Sequence, residues 1–166
     1  MAGVNPTSKV AASFLKRAER AEKLGPGAPS AEEPLRFAAG LHRAQAEVAR
    51  ALAGKQPSRL DDVLPALLGA APPLWRFACE RGPAELAGLA QARLEDGADA
   101  AAARLRTYWS GDLQVREDYL SRALLKPWVE LLAAERRAPE RTLRPGSCPF
   151  CGGLPWMATR RPETGS

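Results

Sequence analysis

At 166 residues, 45% hydrophobic and 26% charged, the chain has the length and mix of one globular domain with a short tail, which excludes whole-chain disorder. No apolar run approaches the roughly 18 residues that a bilayer span needs, so membrane insertion is excluded as well. The net charge of +5 is concentrated at the end: Arg136, Arg137, Arg141, Arg144, Arg160 and Arg161 stand against Glu140 and Glu163, leaving the body almost neutral.

That distribution bears on partners. Arginine outnumbers lysine, alanine is abundant and isoleucine is absent; this reads as GC-rich coding bias rather than as a phosphate-binding surface, and it weighs against a nucleic-acid face. The opening MAGVNPTSKVAASFLKR lacks the basic-then-apolar order of a secretory signal, and three cysteines are too few and too odd for a disulfide framework. A reducing, cytoplasmic setting is expected.

Residues 7–24 predict a first amphipathic helix, with Val10, Phe14, Ala18, Ala21 and Leu24 on one face and Gly25-Pro26 as the stop. After the loop GPGAPS, Ser30 and Glu33 have the spacing of a capping box for a second helix, with Pro34 tolerated in its first turn. This helix runs to about Ala53 on a stripe of Phe37, Leu41, Ala44, Val48 and Leu52 and ends at Gly54. His42 lies one position off the stripe and reads as a half-exposed surface residue rather than a catalytic group or ligand.

Residues 61–70 predict a short apolar helix broken by Pro72-Pro73, and Leu74, Phe77 and Ala78 a separate one closed by Gly82-Pro83. Cys79 reads as a buried helix thiol. Two alanine-rich helices follow, 83–94 and 98–109, parted near Gly97, with Leu86, Leu89, Leu94, Ala101, Leu105 and Tyr108 directed to the core. A last long helix, about 114–137, carries Tyr119, Leu124, Trp128, Leu131 and Leu132, with Pro127 expected to bend it.

The expected fold is therefore all-α, a bundle of about five to seven helices over residues 1–138 with an irregular tail over 139–166. No strand alternation, fixed repeat, phosphate-binding loop or catalytic motif is present. The acidic pairs Glu32-Glu33 and Asp61-Asp62 fall at helix starts, where the dipole favours them, and do not read as a general acid/base pair.

The tail holds the one chemical motif, Cys148-Pro-Phe-Cys151 followed by Gly152 and Gly153. Its two-residue gap aims both thiolates at one tetrahedral zinc or iron ion, and the glycines allow the tight turn. It is half of a zinc-knuckle or rubredoxin-like site, since such ions need four ligands. The missing ligands would come from a second copy of the chain, in a bridged homodimer, or from a region beyond this sequence. A thioredoxin-like redox pair would need a parallel sheet, which nothing here predicts, and a chance pair in the tail is the remaining reading.

Three stretches carry a family likeness: LKRAERAEKL followed by EPLRFAAGLHRAQ, then REDYLSRALLKPWVELLA, then RPGSCPFCGGLP, which matches a CPxCGxxP knuckle. In them the chain resembles the formate dehydrogenase accessory protein family. The resemblance implies an all-helical N-terminal domain followed by rubredoxin-like modules built from several CxxC pairs, of which only Cys148 and Cys151 have counterparts here. It therefore implies a truncated member or a fragment. It also implies a cytoplasmic, non-enzymatic factor required for maturation of respiratory formate dehydrogenase through association with the catalytic subunit. A metal or thiol-redox protein acting through Cys148 and Cys151, or a nucleic-acid-binding zinc knuckle using the arginine tail, are the alternatives. Trp109, Trp128 and Trp156 are the aromatic candidates for a binding surface, Trp156 foremost, because Trp128 sits on a helix stripe that reads as core.

Overall fold

The computed structural model describes residues 5–54, 56–111, 118–141 and 148. Six α-helices hold the described chain, α1 (Pro6–Leu24), α2 (Glu32–Ala51), α3 (Leu60–Arg81), α4 (Ala84–Glu95), α5 (Ala98–Ser110) and α6 (Tyr119–Ala134), with no strand among the described residues. The all-α expectation holds there.

α1 begins where Asn5 Oδ1 accepts from the Thr7 amide at 3.0 Å and Pro6 fills the first helical position, which meets one orphan donor and removes another. Its buried face is Val10, Ala11, Phe14, Ala18 and Ala21. Leu24, expected on that face, is 51% exposed, because the chain turns away through the 3₁₀ turns Gly25–Gly27 and Pro29–Ala31. Those turns also replace the expected capping box: α2 starts at Glu32 behind Ala31, and no side chain caps it. Glu32 and Glu33 occupy its first turn, as the dipole favours. At this end α1 and α2 approach on the small side chains Ala18, Ala21 and Ala39.

The largest departure from expectation is α3. In place of two short helices broken at Pro72-Pro73, one helix of 22 residues runs through Pro65, Pro72 and Pro73. Leu60, Val63, Leu64, Leu67, Ala71, Leu74, Trp75 and Ala78 form an uninterrupted buried stripe, while Pro65 and Pro73 lie exposed and Pro72 half-buried. An interior proline costs roughly 3 kcal/mol, but each large apolar side chain on the stripe contributes about 1.5–3 kcal/mol when buried. Packing wins.

Gly40 lets this helix approach α2. A Cβ there would stand 2.2 Å from the Phe77 ring, which instead stacks on Phe37 with centroids 5.5 Å apart.

α4 packs on α3 through Ala90 and the half-buried Leu86 and Leu94. Leu89, expected in the core, is 48% exposed: the helix is turned so that Arg93 reaches Asp118, and the stripe through 86, 90, 93 and 94 leaves Leu89 outside. Cys79, expected to be buried, is half-buried, its thiol donating to Gln91 Oε1 at 3.3 Å.

α6 is the centre of the bundle, touching α1, α2, α3 and α5. Asp118 caps it by accepting from the Ser121 amide at 3.0 Å. At the other end Arg136, at φ 57°, takes the left-handed position usually given to glycine. The Arg136 and Arg137 amides there donate to the Ala133 and Leu132 carbonyls, a Schellman closure. The helix ends at Ala134 rather than 137, and the expected residues 114–117 lie outside the described ones. Leu124, Trp128, Leu131 and Leu132 are buried as expected, whereas Tyr119, at the first turn, is 38% exposed.

The helix continues through Pro127, which has no amide to offer the Ala123 carbonyl four residues back. Gln45 Nε2, on α2, donates to that carbonyl at 2.8 Å. A polar side chain only 2% exposed thus fills the vacancy that the proline makes. Gln45→Met is expected to cost about 1–3 kcal/mol by orphaning a buried carbonyl, and the loss should shrink when Pro127→Ala restores the amide. A double-mutant cycle by urea unfolding checks it; equal losses in both backgrounds would refute the link.

Candidate functional site

The tail motif is the starting point. Cys151 and Trp156 lie outside the described residues, and Cys148 is half-buried against the body. The approach to it is anchored. Arg137 Nη1 donates to the Gln56 carbonyl at 2.5 Å, the Glu140 amide to the Ser58 carbonyl at 2.8 Å and Ser58 Oγ to the Glu140 carboxylate at 2.5 Å. Arg141 then lays its guanidinium 4.2 Å from the Trp109 ring centroid, a cation–π contact. Residues 137–141 are thereby bound to the 56–58 loop and to α5.

Cys148 lines a groove of about 240 Å³ between α5 and α6, with Tyr108, Trp109, Arg122, Leu125, Lys126, Val129 and Glu130. Its floor is rigid. Trp109 meets Trp128 with ring centroids 5.1 Å apart, and the Trp128 indole N–H donates to the Pro57 carbonyl at 2.9 Å. On its rim Glu130 is held by Arg17 of α1 through two hydrogen bonds of 2.8 and 3.0 Å. Trp128 is a core residue, as its stripe position implied, and Trp109 carries the groove.

The described surroundings of Cys148 do not fit a metal ion by themselves. The groove that it lines also carries two cationic side chains and one carboxylate already bridged to Arg17, and no second thiolate or imidazole is among its described lining residues. No group of three or more His, Cys, Asp or Glu residues able to hold an ion occurs among the described residues. A tetrahedral site would need Cys151 and two further donors from elsewhere. The isolated chain is expected to be helical yet to retain no stoichiometric zinc or iron after gel filtration, as elemental analysis would show. Half an ion per chain would indicate a bridged dimer, and one tightly held ion per chain would refute the expectation.

Compared with protein-family models, curated proteins and solved structures, the chain matches none.

His42 is placed as its off-stripe position implied, half-buried, and its surroundings are specific. Gln45 uses its amide nitrogen on Ala123, so its Oε1, 2.9 Å from His42 Nδ1, is an acceptor and Nδ1 must carry the proton. The ring centroid lies 6.0 Å from that of Phe14. Burial, with Lys126 and Arg17 nearby, holds the imidazole below its ordinary value of 6.5, against the raising effects of Gln45 and Glu130. The folded state therefore resists protonation that the unfolded state accepts. Stability is full above pH 6.5 and falls as pH drops from there through the lower folded value. As this is the only histidine, His42→Asn should flatten the stability profile as pH falls below 6.5. An unchanged slope in urea unfolding would refute it.

The groove residues on α6 were not singled out in the sequence, although a signal existed. Arg122, Leu125, Lys126 and Val129 recur at i, i+3, i+4 and i+7, a face of mixed character running alongside the fully buried one.

Proposed function

We propose that the chain is a protein-docking accessory factor, not an enzyme, which binds the catalytic subunit of a respiratory formate dehydrogenase during its maturation in the cytoplasm. The partner follows from the resemblance in the three quoted stretches. What supports docking is the groove between α5 and α6, floored by Trp109 packed on Trp128, with the first cysteine of the knuckle on its wall. Concave sites with an aromatic anchor surface and a charged rim are where binding energy concentrates.

In this reading the helical body does the docking, and Cys148 and Cys151 belong to a metal knuckle completed by ligands outside the chain. The nucleic-acid reading rests on the arginine tail, of which Arg144, Arg160 and Arg161 lie outside the described residues. In the body, Arg17, Arg36, Arg43, Arg93, Arg104 and Arg106 each face a carboxylate.

The test is an anaerobic pull-down from a formate-respiring bacterial extract, with the chain and its Cys148→Ser/Cys151→Ser variant as baits, read by mass spectrometry. Both baits are expected to retain the formate dehydrogenase catalytic subunit. Its absence from both would refute the proposal, and retention by the unmodified chain alone would move the binding role to the knuckle.

A further inference from the structure

α1 packs one face and exposes the other. Val10, Phe14, Ala18 and Ala21 are buried, and on the opposite side of the helix Lys9, Lys16, Arg20 and Lys23 are all exposed. At 3.6 residues per turn these four fall within an arc of about 60° and along roughly 21 Å of helix. Three of the chain's five lysines stand there. None of the four side chains forms an ion pair among the described residues. Glu19, at the edge of the row, is in no ion pair either, and Glu22 is turned to Arg43.

Helix stability does not account for this row. Lys9 stands at the end of the first turn, where the helix dipole disfavours a cation and where α1 has no acidic residue to offset it. Lys16 and Arg20 are like charges four positions apart, and Arg20 and Lys23 three apart, an arrangement that weakens a helix. The charge does not spread sideways. On the neighbouring α2, Arg36, Arg43 and Arg50 are paired with Glu32, Glu22 and Glu47. The positive strip is therefore about one side chain wide, and the aromatic ring of α1, Phe14, is buried away from it.

We infer that this strip docks an acidic helix of a partner protein, laid along α1 with carboxylates seven residues apart against Lys9, Lys16 and Lys23. Seven residues are slightly less than two turns, so each lysine steps back by about 20° around α1. Two helices that cross at about 20° follow such a track and keep one face of the partner on it. Charge pairing of this kind sets register and speeds approach. A nucleic acid fits the strip less well, because its backbone calls for a broader basic face and its bases for exposed rings to stack on. A second copy meeting the strip with its own α1 brings the same cations, and residues 142–166 carry Arg144, Arg160 and Arg161 against Glu163. Only the identity of the partner rests on the formate dehydrogenase reading; the chemistry of the helix does not.

Photo-crosslinking reads that chemistry directly. p-Benzoylphenylalanine replaces Ala12, exposed on α1 between Lys9 and Lys16, in the full chain, and the chain is irradiated in formate-respiring bacterial extract. The crosslinked segment is then sequenced by mass spectrometry. A segment with Asp or Glu recurring every seven residues is expected. Its yield should fall at least about fivefold on adding Lys9→Gln/Lys16→Gln/Lys23→Gln, with circular dichroism unchanged, and should be kept when the same three lysines become arginine. A crosslink to nucleic acid, to a second copy, to residues 142–166 or to a segment without that acidic spacing would overturn the inference, as would an unchanged yield in the glutamine variant or no crosslink. An acidic helix from a protein other than a formate dehydrogenase catalytic subunit would uphold the strip and refute the functional reading. Pull-down of that subunit without a crosslink at this face would do the reverse.

Discussion

Replacing Trp128 with alanine is expected to destabilise the fold by about 3–5 kcal/mol, a third or more of the roughly 5–15 kcal/mol that holds an ordinary domain. Trp128 is the largest fully buried side chain among the described residues, with 0% exposure, and it serves three elements at once. Its ring supports Trp109 of α5, its N–H satisfies the Pro57 carbonyl, and its position on α6 lies at the middle of the bundle. Trp128→Phe keeps much of the apolar volume and removes the hydrogen bond, so it should cost less than the alanine variant. Urea unfolding followed by circular dichroism distinguishes the two. A loss below about 1 kcal/mol for Trp128→Ala would mean that this ring does not form the core.

Asp118→Ala should be of similar size, by different physics. The carboxylate is only 2% exposed. One oxygen accepts from the Ser121 amide at 3.0 Å, and the other accepts from Ser121 Oγ at 2.7 Å and Arg93 at 2.9 Å. Alanine removes the α6 cap, worth about 1 kcal/mol, and leaves the Arg93 guanidinium, 11% exposed, without its counter-charge. Breaking one side of a buried pair typically costs about 3–5 kcal/mol. The double variant Arg93→Met/Asp118→Ser removes both charges and keeps a capping oxygen, so it should regain much of the loss. If it is as unstable as Asp118→Ala, the orphaned charge is not the cause.

Much of the helical pattern was readable from local signals. The faces of α1, α2 and α6 follow apolar spacing, and Gly97 parts α4 from α5 as expected. The failures lie where a distant element decides. Pro72 and Pro73 read as breakers because local rules count only the lost backbone bonds and not a stripe of eight buried residues packed on other helices. Ser30 and Glu33 had the spacing of a cap, but a 3₁₀ turn occupies that place. Leu89 counted as core until Arg93 turned α4 towards Asp118, a partner 25 positions away.

The candidate site was legible only in part. Cys148 stood out by its spacing to Cys151. That it shares a groove with Tyr108, Trp109 and Arg122 is visible only in the tertiary structure, where residues 137–141 are also bound to the 56–58 loop through hydrogen bonds that span about 80 positions. Gln45 is another such case: nothing near it predicts a buried amide, and its purpose appears only once Pro127 is packed opposite.

By itself, then, the sequence determined the helical class, the amphipathic faces and the single thiol motif, because periodicity and short spacings act between residues a few positions apart. Tertiary structure alone decided which prolines a helix could absorb, which polar side chains could be buried and where the groove opens. Each of those depends on a partner group supplied from another helix, and a free energy that exists only once the helices meet leaves no local mark in the chain.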